Sequence, residues 1–236
     1  MTHSNETFLR VISKSFHEFL SCGTSRSTAK LKPLHGAIAQ DLSELLGSGY
    51  EIWSQGFQRD KEAEITGRYI NKKVDITVKR DGKPIAGIAV KFVMQNYSQN
   101  SNNYFENMLG ETANIRCNDF PYFQVFIILD KLPYYDRQKN IKKWETFTKH
   151  NVSKYITLSQ DDVAVYLHAP NKTLIYVVHI PDNERLATLD EYRAYYITQT
   201  YPLTLSSHAY DTFGRSVILN DYVLFLDKVY HTIKAM

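Results

Sequence analysis

VDITVKRDGKPIAGIAVKF, from Val74 to Phe92, reads as two consecutive strands joined by a tight connection. In VDITVK, Val74, Ile76 and Val78 alternate with Asp75, Thr77 and Lys79, the period of a pleated strand, so Asp75 points away from the apolar face. IAGIAVKFV is nearly continuous in small and β-branched residues, as expected of a strand covered on both sides. Lys91 interrupts that run, and an ammonium so placed is costly unless a carboxylate, a metal-bound water or a phosphate compensates it. Arg80-Asp81-Gly82 reads as a loop of odd length in which Gly82 supplies positive φ, and Pro84 removes one ladder donor. In a regular antiparallel pair an odd loop places Asp75, Ala89 and Lys91 on one face. A two-residue Asp81-Gly82 turn would send Asp75 to the other face, and a bulge would change the count again.

Working outward, residues 5–21 carry Phe8, Leu9, Ile12, Phe16 and Leu20 at helical intervals, and Thr24 to Thr28 forms a polar break. A second helix is expected from Pro33 to Leu46, closed by Gly47 and Gly49, followed by a short strand within Tyr50 to Phe57. YFQVFIIL, Tyr122 to Leu129, is the clearest central strand. It is expected to lead through Pro133 into a helix near 137–149. A helical or irregular segment with Val163 to Leu167 then precedes a strand at Thr173 to Ile180. Helices around Leu189 to Thr198 and Asp221 to Ile233, with a polar loop from Pro202 to Arg215 between them, complete the chain. This order suits an α/β fold, a mixed central sheet flanked by helices with additional C-terminal helices. No linker or repeat divides the chain, so residues 1–236 are read as a single domain with a core of about 31–180.

An aspartate, a hairpin, and then Val90-Lys91 at a strand end resembles the PD-(D/E)xK nuclease superfamily, which includes most of the familiar restriction endonucleases. The resemblance implies a restriction-endonuclease-like fold and a Mg²⁺-dependent type II endonuclease that cuts double-stranded DNA at a short specific sequence, leaving 5′-phosphate ends. Asp75 and a second acid would hold the metal, the main-chain carbonyl of Val90 would add a ligand, and Lys91 would orient the attacking water or stabilise the developing charge. Two hard carboxylates suit Mg²⁺, which keeps waters for substrate phosphate.

The family's usual second acid lies two residues before the lysine, where this chain has Ala89. Some restriction enzymes carry that acid on the following helix, a little more than a dozen residues after the lysine, and Glu106 lies near that distance. In NSNNYFENMLGETANIR, Phe105, Leu109 and Ala113 form an apolar stripe that Glu106 flanks, while Glu111 projects to nearly the opposite side; Glu106 is therefore the expected second acid. Glu64 and Glu44 are further carboxylates open to an outer role. Ala89 also leaves open a non-cleaving or inactivated DNA-binding member of the same fold, and a structure-specific repair or junction nuclease is a further alternative.

The amide-rich segment from Gln95 to Asn103 follows the lysine closely. Amides pair with base edges and phosphates, so Gln95, Asn96, Tyr97, Asn100, Asn102 and Asn103 are expected to contact DNA. Lys72, Lys73, Lys79, Arg80 and Lys83 form one basic strip; Lys139, Lys142, Lys143 and Lys149 form another, read as the solvated face of a helix. A formal charge of +3 permits such strips without compelling nucleic-acid binding. Cutting symmetric sites would imply a homodimer with one active site per strand. Cys22 and Cys117 make neither a disulfide framework nor a metal quartet, which points to a reduced cytoplasm. Neither a signal-peptide core nor an apolar run long enough to cross a membrane is present, and GxxxxGK[ST] is absent, so neither membrane nor nucleotide cofactor is expected. The eight histidines are scattered and read as structural or surface groups.

Overall fold

The computed structural model describes residues 3–22, 29–198 and 203–236. The polar break at Thr24 to Thr28 lies outside them. Helices α1 (Asn5–Ser21) and α2 (Lys32–Leu46) precede β1 (Glu51–Ser54), and a small antiparallel hairpin follows, β2 (Ala63–Thr66) and β3 (Asn71–Val74). Strands β4 (Ile76–Arg80) and β5 (Lys83–Val93) then lead into α3 (Tyr97–Arg116) and β6 (Tyr122–Leu129). Strands β7 (Lys131–Tyr135) and β8 (Ile141–Thr146), α4 (Lys149–Gln160) and β9 (Lys172–His179) follow. Helix α5 (Leu189–Thr198), β10 (Thr204–Leu205), β11 (Val217–Leu219) and α6 (Tyr222–Lys234) end the chain.

The main sheet has seven strands in the order β1-β4-β5-β6-β9-β10, with β11 pairing the other half of the β9 edge. Strands β5, β6, β9 and β11 run parallel, and β1, β4 and β10 antiparallel to their neighbours, so the sheet is mixed. Every residue of β6 is buried, as a continuous apolar run requires of a central strand covered on both faces. Its alternate side chains show the two covers. Phe123 meets Phe225 of α6 edge-on, whereas Phe126, on the opposite face, packs on Tyr97 of α3 and Tyr155 of α4. In register with β6, Ala89 lies beside Gln124 and Lys91 beside Phe126, which puts Ala89 and Lys91 on the face that α3 and α4 cover.

The parity of the β4–β5 hairpin comes out as an odd loop would give it, by a different device. The connection is the two-residue Asp81-Gly82 turn, both residues at positive φ (52° and 75°), between the paired Arg80 and Lys83. The register then slips between Val78 and Lys79, leaving Ile85 as an extra residue on β5. That bulge restores the alternation, and the register set by Ile76↔Ile88 brings Asp75 opposite Ala89.

The expected helix near 137–149 is a second hairpin instead. Asp136 accepts from the amides of Gln138 and Asn140 (each 2.9 Å), Lys139 sits at φ 67°, and the chain turns back as β8 against β7. Ile141, Trp144 and Phe147 repeat at a spacing that imitates a helix, while the second basic strip lies on β8 and its flanks. The hairpin also supplies what α3 lacks. Asn96, the residue before α3, makes no capping hydrogen bond to the helix, and the buried Glu145 of β8 accepts from Ser98 through its amide (3.2 Å) and its hydroxyl. A carboxylate satisfies the orphan donor and sits favourably at the positive end of the helix.

Candidate active site

Asp75 is the joint where the chain leaves the small β2–β3 hairpin and enters the main sheet as β4. Its backbone is held there by the Ser54 hydroxyl, which donates to the Asp75 carbonyl at 2.8 Å. Beyond the paired end of β4, the amide of Val90 has no strand partner on that side and donates to Asp75 Oδ2 at 2.7 Å. Burial pushes the Asp75 carboxyl up to about 6; the Val90 amide opposes the shift, Glu111 adds to it, and Lys72 and Lys91 oppose it. Desolvation also lowers the Lys91 ammonium, with Asp75 acting against it. Lys91 Nζ lies 4.4 Å from the centre of the Tyr104 ring, a cation–π seat supplied by α3.

A cavity of about 310 Å³ opens around these groups, lined by Asp75, Ala89, Val90 and Lys91 from the sheet, Lys72 and Lys73 from β3, and Glu111 from α3. Glu106 does not reach it. It is exposed on a different side of α3, and the acid that enters is Glu111, the one expected to project away. The stripe that α3 buries includes Met108, Thr112 and Ile115, which rotates its inward face toward Glu111 relative to the Phe105–Leu109–Ala113 reading. Glu111 accepts the Tyr122 hydroxyl and pairs with Lys72 at 2.9 Å, so its carboxylate is fixed at the cavity wall. Glu64 is exposed on β2 and bonded to Asn71. Glu44 lies on α2, 3.9 Å from His3.

The other side of Asp75 meets residues that the sequence did not single out. His35 of α2, Glu62 before β2 and Asp75 bring their ligand-type atoms within 4.8 Å of one another. Both ring nitrogens of His35 are buried without a hydrogen-bond partner, an expensive state for an imidazole. Burial drives His35 down to about 4, with Glu62 opposing, so the ring is neutral at physiological pH, the form that ligates a metal. Glu62 is steadied by Gln55 Nε2 at 2.8 Å. Close backbone contact brings α2 to this place: a Cβ on Gly36 would lie 2.2 Å from the Gly56 carbonyl oxygen, so only a bare residue lets the helix meet the turn after β1. The orphaned imidazole beside two carboxylates therefore fits a divalent cation. Local periodicity gave no sign of this group, because it joins a helix, a loop and a strand joint.

The amide segment is divided between structural and open positions. From Tyr97 onward it forms the start of α3. Tyr97 is buried against Phe126 and Phe147, a core residue rather than a DNA contact. Asn96, at φ 51°, clamps β7 by accepting from the Tyr135 amide at 2.9 Å and donating to the Tyr135 carbonyl at 3.2 Å. Asn100 donates to the Asn96 carbonyl at 3.3 Å. Asn102 and Asn103 are exposed, and Lys154 lies 3.4 Å from Asn102. Gln95, Asn96 and Asn100 line a second cavity of about 260 Å³ that shares Lys91 and Tyr104 with the first and ends at Lys30. The two cavities adjoin at Lys91 and Tyr104, and together their walls carry Lys72, Lys73, Lys91 and Lys30.

No family model, no curated protein and no solved structure matches this chain. None of the described helices is long and apolar enough to cross a membrane.

Proposed function

We propose that the chain is a metal-dependent endonuclease that hydrolyses phosphodiester bonds of double-stranded DNA, working as a type II restriction enzyme. The observation that carries the reading is Asp75, a desolvated carboxylate shared between a cavity holding Lys91 and a cluster holding an unpartnered imidazole. Asp75, His35 and Glu62 would hold the cation, with Val90 and Lys91 lining the cavity on the other side of Asp75. When bound, the cation polarises a phosphate and acidifies a water. Lys91, seated on Tyr104, supplies positive charge where the phosphate gains negative charge. Lys72, Lys73 and Lys30 draw the polyanion along the two adjoining cavities, and Glu111 holds Lys72 in place. Mg²⁺ is the ion that resemblance implies, but an imidazole nitrogen among the ligands favours Mn²⁺.

A second reading, a DNA-binding member that does not cut, is favoured by Ala89, which stands opposite Asp75 where an acid is expected. Incubating a long duplex with the protein at low salt in Mg²⁺, Mn²⁺ or EDTA separates the readings. Discrete fragments, more abundant in Mn²⁺ and absent in EDTA, are expected. A smear would favour a structure-directed or nonspecific nuclease. Intact but bound DNA, with cutting gained by Ala89→Glu, would replace the proposal by the non-cleaving reading.

A further inference from the structure

The β2–β3 hairpin carries features that the cavity does not explain. Its four-residue tip exposes two large apolar side chains, Tyr69 at 80 % and Ile70 at 64 %. Such exposure costs solvation free energy, and side chains without packing contacts are ordinarily held on a loose tip. This tip is not loose. Asn114 of α3, itself buried, accepts from the Tyr69 amide (2.9 Å) and the Ile70 amide (3.2 Å) and donates to the Ile70 carbonyl (2.9 Å), while its own carbonyl accepts from the Arg68 amide at 2.7 Å. Gly67 closes the turn against the same side chain, where a Cβ would lie 2.1 Å from Asn114 Nδ2. A buried amide is thus spent on holding an apolar tip rigidly outward.

The rest of the hairpin is basic. Between Ala63 and Val74 it carries Arg68, Lys72 and Lys73 against a single carboxylate, Glu64. Lys72 and Lys73 line the Asp75 cavity, so the tip is continuous with that cavity through one short strand. An apolar wedge between cations, fixed to a rigid helix, matches the chemistry of a side chain pushed between base steps, where flanking cations take phosphates and an aromatic ring takes the exposed π-face.

We propose that the β2–β3 tip is a DNA wedge: Tyr69 and Ile70 enter the minor groove of duplex DNA and open a base step, while Arg68 and Lys73 hold the adjoining phosphates. The inference rests on the nucleic-acid reading of the Asp75 cavity but not on cleavage.

The test uses the full chain in EDTA and a labelled duplex containing 2-aminopurine. The Tyr69→Ser/Ile70→Ser variant keeps the backbone bonds to Asn114, and an unchanged melting temperature verifies its fold. Wild type is expected to raise 2-aminopurine fluorescence on binding, and the variant to lose that rise and bind at least tenfold more weakly. The slope of log affinity against log salt should stay the same, since no cation is removed. Arg68→Ala/Lys73→Ala should instead flatten that slope. Wild type that binds with fluorescence gain but fails to cut in Mg²⁺ or Mn²⁺ would leave the wedge standing and remove the nuclease reading. Equal fluorescence gain and affinity in wild type and the Tyr69/Ile70 variant, with cutting intact, would overturn the wedge alone. Failure of wild type to bind duplex, preference for single strands, or a change in oligomeric state as the variant's only effect would also overturn it.

Discussion

At the scale of single residues, the site keeps the Asp75 carboxylate where it is poorly solvated. Asp75 titrates near 6, above an ordinary carboxyl, because burial penalises its charge. Asp75 therefore binds more protons in the native state than in the unfolded chain between roughly pH 4 and 6, so its own contribution to stability falls as pH rises through that window, while His35, held down to about 4, contributes in the opposite sense over the same range. Asp75→Asn removes the charge and keeps an acceptor for the Val90 amide. In EDTA at pH 8 it should stabilise the fold, with an upper bound on the order of 2–3 kcal/mol, and the gain should fade toward pH 4 in urea titrations. The cost of that buried charge is consistent with a site that keeps Asp75 for a cation. His35→Ala should leave the fold intact while reducing Mn²⁺ affinity by tenfold or more in calorimetric titration. Lys91→Met should slow cutting by roughly 10²-fold or more at unchanged DNA affinity. Asp75 and Lys91 were legible in the sequence because one lies on the polar side of a strand's alternation just before a hairpin and the other interrupts an apolar run. His35 and Glu62 break none. Their meaning arises only when Gly36 and Gly56 let α2 close on the sheet, a contact between distant segments.

Helices α1 and α2 and strands β6 and β9 carry uninterrupted periods over a full element, and the sequence places them close to where they lie. The 137–149 segment carries a helical spacing too, but Asp136 and Lys139 set a turn that commits it to β8, and pairing with β7 overrides the spacing. The β4–β5 hairpin makes the same point in reverse: the expected parity is met only because a bulge offsets the two-residue turn, and that bulge was not legible, since an extra residue is defined only by the partner strand. Helix α3 shows why Glu111 replaced Glu106. Its buried face is set by Met108, Thr112 and Ile115 against the sheet and the β2–β3 hairpin, not by the Phe105–Leu109–Ala113 stripe. Asn114 holds that hairpin tip by three side-chain bonds, so Asn114→Ala should lower stability by about 1–3 kcal/mol in chemical denaturation, with greater hydrogen exchange confined first to residues 67–70.

On the scale of the whole molecule, the mixed sheet places its switch from antiparallel to parallel pairing at β5, and Asp75, Ala89 and Lys91 lie there. Helix α2 brings His35 to Asp75 and α3 brings Glu111 to the cavity beside it, so helices and sheet both contribute there. That geometry supports the proposed hydrolytic centre, and a symmetric recognition site would need two such centres; sedimentation with a palindromic duplex should then give two chains per duplex. The most direct test is the initial rate of cleavage of an end-labelled duplex in Mn²⁺ at pH 8, wild type against Asp75→Asn at matched occupancy. Wild type is expected to give 5′-phosphate products, and the variant a rate at least roughly 10³-fold lower with affinity unchanged. Equal rates in the two proteins, or no Mn²⁺-dependent product from wild type, would contradict a hydrolytic centre at Asp75.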